Sequence, residues 1–141
     1  MRVVFYDIAP AERFQLAAKM AAAAWEKKKT LILRCHDDEL DRLDTHLWTF
    51  RDESFLPHEV WRSGATLADE HARILLVSSD ETPRPGHILL QLAPASLEFA
   101  RTFDTVIDVV DHTDEPRLTA SRARYKAWAE QGLKPELKKS F

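Results

Sequence analysis

Glycine is scarce. The 141-residue chain holds only Gly64, Gly86 and Gly132. None stands in a G-x-G-x-x-G string or a P-loop, so the usual glycine cradle for a nucleotide phosphate is missing. The first strand expected from the sequence runs into Ala9 and Pro10, and proline removes an N–H that a phosphate would need there. Cysteine is scarcer still, with Cys35 alone. That excludes an intrachain disulfide and points to a reducing compartment. Surplus positive charge is lacking too: net charge is −3. The surface as a whole does not attract nucleic acid, and anion binding must come from a local patch. No apolar run approaches the roughly 20 residues of a membrane span, and no charged-then-apolar leader opens the chain, so a soluble cytoplasmic protein is expected.

Catalytic and metal-binding patterns are equally thin. His36, Asp37, Asp38 and His46 lie close in sequence, but without H-E-x-x-H or paired-cysteine spacing. Capping suits the aspartates better, and surface exposure the histidines. Cys35 has His36 beside it, yet neighbours on a strand point to opposite faces, and a buried structural thiol fits better. Ser54 and His58 lie near Asp52, but no G-x-S-x-G frames the serine. No catalytic residue, metal ligand or cofactor is therefore expected.

Periodicity supplies what the motifs do not. VVFYDI (3–8), LILRC (31–35), ARILLV (72–77), HILLQL (87–92) and TVIDVV (105–110) read as buried strands. Helical patterns lie between them. Pro10 opens one through Lys29, with Phe14, Ala17, Ala18, Ala21, Ala24 and Trp25 as its apolar stripe. Lys27, Lys28 and Lys29 match the negative end of its dipole. A second helix reaches Trp48 on Leu40, Leu43 and Leu47, and a short one follows Pro94. The expectation is a three-layer α/β/α domain over residues 1–132. Its sheet is mostly parallel, of about five strands, Rossmann-like without the nucleotide-binding glycine loop. Residues 133–141 are polar and expected to be a mobile tail.

The most distinctive stretch is RLTASRARYKAWAEQG, 117–132. It is basic on an acidic protein. Glu115 and Pro116 precede it and Gly132 follows, as a helix start and stop would. Leu118, Arg122, Tyr125, Lys126 and Ala129 share one helical face, and Ala120, Ala123 and Ala127 form a small-residue face suited to lying on a sheet. Arg122 and Lys126 flank an aromatic plate, suited to a ligand with carboxylates and an apolar group. The same pattern also fits a solvated basic helix face. Upstream, 49–61 is too irregular for a helix and too aromatic for a casual loop. If strand ends come together as in open α/β sheets, Trp48, Phe55 and Val110 would form an apolar pocket rimmed by Arg122, Tyr125 and Lys126. Alternatively, Trp48 and Phe55 are core residues under a long loop.

Two strings, L-W-x₄-E-S-F-x-P-H within LWTFRDESFLPH and R-x-R-Y-K-A within RARYKAW, stand in an order and spacing that is specific. With FYDI, AAAAWEKKKTLIL and FDTVIDVVD, they make nearly the whole chain resemble the chi subunit family of bacterial DNA polymerase III, a clamp-loader accessory protein. The resemblance implies a non-enzymatic adaptor without an active site. It would join the psi subunit of the clamp loader to the acidic C-terminal tail of single-stranded-DNA-binding protein, which ends in proline and phenylalanine. It carries the family's tail-binding positions onto Trp48, Phe55, Val110, Arg122, Tyr125 and Lys126. One extra residue separates Val110 from the basic helix, and a position that is basic in some members is Leu118 here. Nucleic acid would be met only indirectly. Direct single-strand binding through Tyr125, Trp128 and the cations is a separate possibility, and an α/β enzyme or nucleotide-binding protein is the alternative from fold alone.

Overall fold

The structure is a computed structural model and describes residues 1–50 and 56–141. Its centre is one parallel sheet. The strands are β1 (Arg2–Ile8), β2 (Leu31–Arg34), β3 (Glu59–Val60), β4 (Ile74–Val77), β5 (Ile88–Gln91), β6 (Thr105–Asp111) and β7 (Glu136–Lys138). Their order is β3-β4-β2-β5-β6-β1-β7, and every pairing is parallel. Among the described residues the sheet therefore has seven strands rather than about five. The two additions are its edges. β3 is two residues long, and β7 comes from the tail expected to be mobile. An exposed E-L-K segment gives no hydrophobic signal, because it joins β1 through backbone hydrogen bonds.

Helices α1 (Arg13–Glu26) and α2 (Leu40–Thr49) cover one face, and α3 (Leu97–Ala100) and α4 (Glu115–Glu130) serve the other. Strand alternation divides the core between them. Val4, Tyr6, Ile8, Leu31, Leu33, Ile107 and Val109 pack with Leu16, Ala17, Ala21, Leu40, Leu43 and Leu47. Val3, Phe5, Ile32, Leu75, Leu89 and Val106 pack with Phe103 and Trp128. Strands buried on both faces explain the unbroken apolar runs. Among the described residues, no helix is long and apolar enough to cross a membrane.

Chemistry at the element ends matches the sequence in kind. Ala9 N–H donates to Glu12 Oε1 at 3.1 Å, and Pro10 opens a 3-10 turn ahead of α1. Lys28 ends α1 with φ 56°, and Lys29 N–H returns to Ala24 O. Asp114 caps α4 by accepting from Arg117 N–H at 2.8 Å. Gly132 ends it at φ 83°, where a left-handed backbone favours glycine. Cys35 is fully buried, and burial, reinforced by Glu39, pushes its thiol up to about 12.

The face α4 turns inward differs from the expected one. Ala120 and Ala123 are exposed, while Ser121 and Trp128 are buried. Polar pairing outweighs close alanine packing here. Arg124 forks onto the buried Asp108 with Nε–Oδ2 2.7 Å and Nη2–Oδ1 3.0 Å. Ser121 Oγ accepts from Asp111 N–H at 2.9 Å. Trp128 then fills the remaining volume over the sheet at 2% exposure.

Candidate functional site

The cleft forms where β6, β1 and β7 run side by side. Asp7 is the register partner of Val110, and Leu137 that of Phe5. By alternation, Asp7, Val110 and Leu137 face α4. Above them, α4 contributes Ser121, Arg122 and Tyr125, and His112 closes the end. The volume enclosed is about 360 Å³. Tyr125 is half-buried. Its ring meets Phe5 edge-on at 5.2 Å, and its hydroxyl donates to Pro135 O at 3.1 Å. Arg122 is exposed, so its guanidinium is available to a ligand. Lys126 is also exposed, one helical turn from Arg122, and does not line the cleft.

Val110, Arg122 and Tyr125 are thus brought together, with Lys126 beside them. Trp48 is not. It ends α2 on the other face of the sheet, 44% exposed, with its ring 4.1 Å from that of His58. It shares a separate recess of about 270 Å³ with Trp25, Pro57, Glu59 and Arg73, at the β3 edge. Among the described residues, Trp48 therefore does not share the cleft of Val110, Arg122 and Tyr125. The single pocket expected from sequence presumes that the ends of β2 and β6 meet, but β5 lies between them and α2 leads outward to β3. Phe55 lies outside the described residues. Trp128, considered for stacking on nucleic acid, is buried and unavailable.

Sequence reasoning missed Asp7, His112, Ser121 and Leu137. His112 Nε2 lies 2.5 Å from Asp7 Oδ1, which places a carboxylate and its partner opposite Arg122. Asp7 carried a signal, being on the Val3–Phe5 face of β1, but Leu137 in a polar tail did not.

The crevice at the strands' carboxyl ends, where α/β folds hold nucleotides, is occupied by buried polar pairing. Arg13 donates to both oxygens of Glu39 at 2.7 and 3.3 Å and to Leu92 O at 2.7 Å. Arg124 and Asp108 fill the neighbouring position. The space left, lined by His36, Asp111, Arg117 and Arg124, is about 90 Å³. Small-molecule sites start at roughly 300 Å³. Asp37, expected as a helix cap, instead accepts from Arg62 and Ser78. Among the described residues, no group of three or more His, Cys, Asp or Glu is placed to hold a metal ion.

Comparison with known proteins adds lineage to this geometry. Residues 1–136 match the family model described as DNA polymerase III chi subunit, HolC. DNA polymerase III subunit chi of Pseudomonas aeruginosa is 32% identical over 138 residues, covering 93% of this chain and 91% of that protein. The Escherichia coli subunit of the same name is 32% identical over 120 residues, covering 84% and 80%. Among solved structures, the C-terminal domain of the DEAD-box protein Dbp5 aligns with a TM-score of 0.65 over 97% of this chain and 89% of that one, at 9% identity. That likeness concerns the fold alone.

Proposed function

The chain belongs to the DNA polymerase III chi subunit family, and we propose that it serves DNA replication as a non-enzymatic cytoplasmic adaptor. Its partners in this reading are the psi subunit of the clamp loader and the acidic C-terminal tail of single-stranded-DNA-binding protein. Residues 1–132 act as one domain, and the 133–141 tail walls its cleft.

The observation that carries the reading is the pairing of an exposed Arg122 with an apolar slot made by Val110, Tyr125 and Leu137. A peptide ending in phenylalanine needs both. The guanidinium grips the terminal carboxylate with two parallel hydrogen bonds, the slot shelters the ring, and Lys126 offers a point charge to the preceding aspartates. Asp7 Oδ1 is engaged by His112 Nε2, so the acidic ligand does not meet a bare carboxylate.

An adaptor needs two surfaces that can be occupied at once. Trp48 and Trp25 line a recess at the sheet edge opposite β7. We assign it to psi, because exposed tryptophans on a soluble domain mark a protein interface.

A titration with a synthetic peptide ending Asp-Asp-Ile-Pro-Phe tests the first surface. Arg122→Ala should weaken binding at least tenfold, while Trp48→Ala leaves it unchanged. Amidation of the peptide terminus should mimic the arginine variant. Binding indifferent to Arg122→Ala would reject this site. Loss of psi co-purification on Trp48→Ala, with the peptide still bound, is the expected result for the second.

A further inference from the structure

A cationic recess lies at the other end of the sheet, on the α1 side. Its floor is apolar, made by Val4, Met20, Ala23, Ile88 and Ile107. Around it stand Arg2 from β1, Lys27 from the end of α1, Lys29 from the following turn, His87 before β5 and Lys138 from β7. The volume is about 290 Å³. Convergence of these groups from separate elements is not expected of a chain whose net charge is −3.

The charges are only partly spent. Arg2 is held by Glu136 at 2.6 and 3.1 Å. Among the described residues Asp104 is the one carboxylate lining the recess, against Lys27, Lys29 and Lys138, and Glu136 stands close enough to feel Lys138. Among the described residues, none of those lysines makes an ion pair. Lys27 and Lys29 match the negative end of the α1 dipole, and Ala23 O and Ala24 O already accept from Lys27 N–H and Lys29 N–H, so the ammonium groups are not needed there as hydrogen-bond donors. His87 is set in advance. Its Nδ1 accepts Thr30 N–H at 3.0 Å, so in the neutral ring Nε2 carries the hydrogen as a donor.

We propose that this recess binds a small organic phosphate: a doubly charged group on a flat apolar body. Several flexible lysines around one arginine suit a compact polyoxygen anion better than a single carboxylate, which one arginine would satisfy. Ala23 and Ala24 leave room over Ile107 and Val4 for a ring, which a free inorganic ion would not fill. The site lies at the strands' amino ends, on the opposite face from the Arg122 cleft, so the two can be occupied independently.

The test is calorimetric titration of the full chain with 1-naphthyl phosphate. Inorganic phosphate is the control that lacks the apolar body. Binding by the naphthyl ester at least tenfold tighter than by inorganic phosphate is expected. Lys27→Ala with Lys29→Ala, both exposed and safe for folding, should weaken it about tenfold. Ala23→Leu should weaken it as strongly by filling the floor while keeping every charge. Arg122→Ala should leave it unchanged, which separates this site from the peptide cleft. Deoxyadenosine monophosphate binding as tightly would place the natural ligand among nucleotides, and naphthyl ester alone among other phosphate esters. No binding, or binding that survives Ala23→Leu, would overturn the proposal.

Discussion

Arg124 and Asp108 form a two-pronged ion pair, 2.7 and 3.0 Å, between α4 and the middle of β6. Asp108 is fully buried, and Arg124 keeps 20% of its side chain exposed. The pair fixes the rotation of α4, and with it which side chains stand over Val110. Asp108→Ala leaves the guanidinium half-buried without its carboxylate. A loss of roughly 3 kcal/mol is expected, because breaking one side of a buried pair strands the other charge. Urea denaturation measures it, and a loss under 1 kcal/mol would mean that Trp128 packing alone sets the helix.

Tyr125 links the helix to the tail. Removing only its hydroxyl, in Tyr125→Phe, should cost about 1 kcal/mol, the worth of one ordinary hydrogen bond. The effect should be local. Amide exchange should quicken at Leu137 and Lys138 while the β2 amides keep their protection. Uniform quickening would show that β7 is not held through Pro135.

Two glycines make opposite predictions for the same substitution. At Gly86 a Cβ would lie 2.7 Å from Phe103 Cε2 and 2.9 Å from Ile32 Cγ1. Both neighbours are core side chains, so Gly86→Ala should destabilise by about 1–3 kcal/mol through overpacking. At Gly132 nothing lies within 4 Å, and only the φ of 83° penalises a side chain. Gly132→Ala should cost about 1 kcal/mol, and Gly132→Asn less, since asparagine tolerates that conformation. Thermal melts of the variants rank them.

Glu39 makes the fold acid-sensitive. Burial alone would raise its carboxyl. The hydrogen bonds and charge of Arg13, with His36 N–H, outweigh burial and hold it below the ordinary 4.5. The folded state thus takes up the proton less readily than the unfolded chain. Stability from this group is present above 4.5 and is lost as pH falls through the lowered folded value. Glu39→Gln should be less stable than wild type by roughly 3 kcal/mol at pH 7, and the gap should narrow as pH falls below 4.5. A gap that ignores pH would remove Glu39 from the acid limb.

Cys35 should be silent to thiol reagents. With its thiol pushed up to about 12 by burial, almost no thiolate exists at neutral pH. Ellman's reagent should report no free thiol in the native protein and one in denaturant. Rapid native labelling would contradict the packing around β2.

Much of this architecture is legible in the chain because its strands are buried on both faces. LILRC, ARILLV and HILLQL carry enough apolar side chains to declare themselves, and the helices between them force parallel order. Three things were not legible. β7 is held by its backbone, so Glu136, Leu137 and Lys138 give no pattern. The inward face of α4 follows Asp108 and Asp111, whose partners Arg124 and Ser121 lie 16 and 10 residues away. Trp48 ends α2, which follows β2, and Val110 lies on β6; β5 separates those two strands, and strand order depends on pairings that periodicity does not encode. The Arg122–Tyr125–Val110 grouping was recoverable because helix spacing and one adjacent strand suffice to assemble it.

The placement of β1 has a kinetic consequence. Among the described residues its neighbours in the sheet are β6 and β7, so the earliest made of these seven strands waits while β2 to β5 are synthesised for something to pair with. Val3, Val4 and Phe5 stay uncovered for that interval, an aggregation-prone run in need of shelter. A nascent chain halted before residue 105 would hold the β3-β4-β2-β5 half of the sheet and leave its amino-terminal strand dangling.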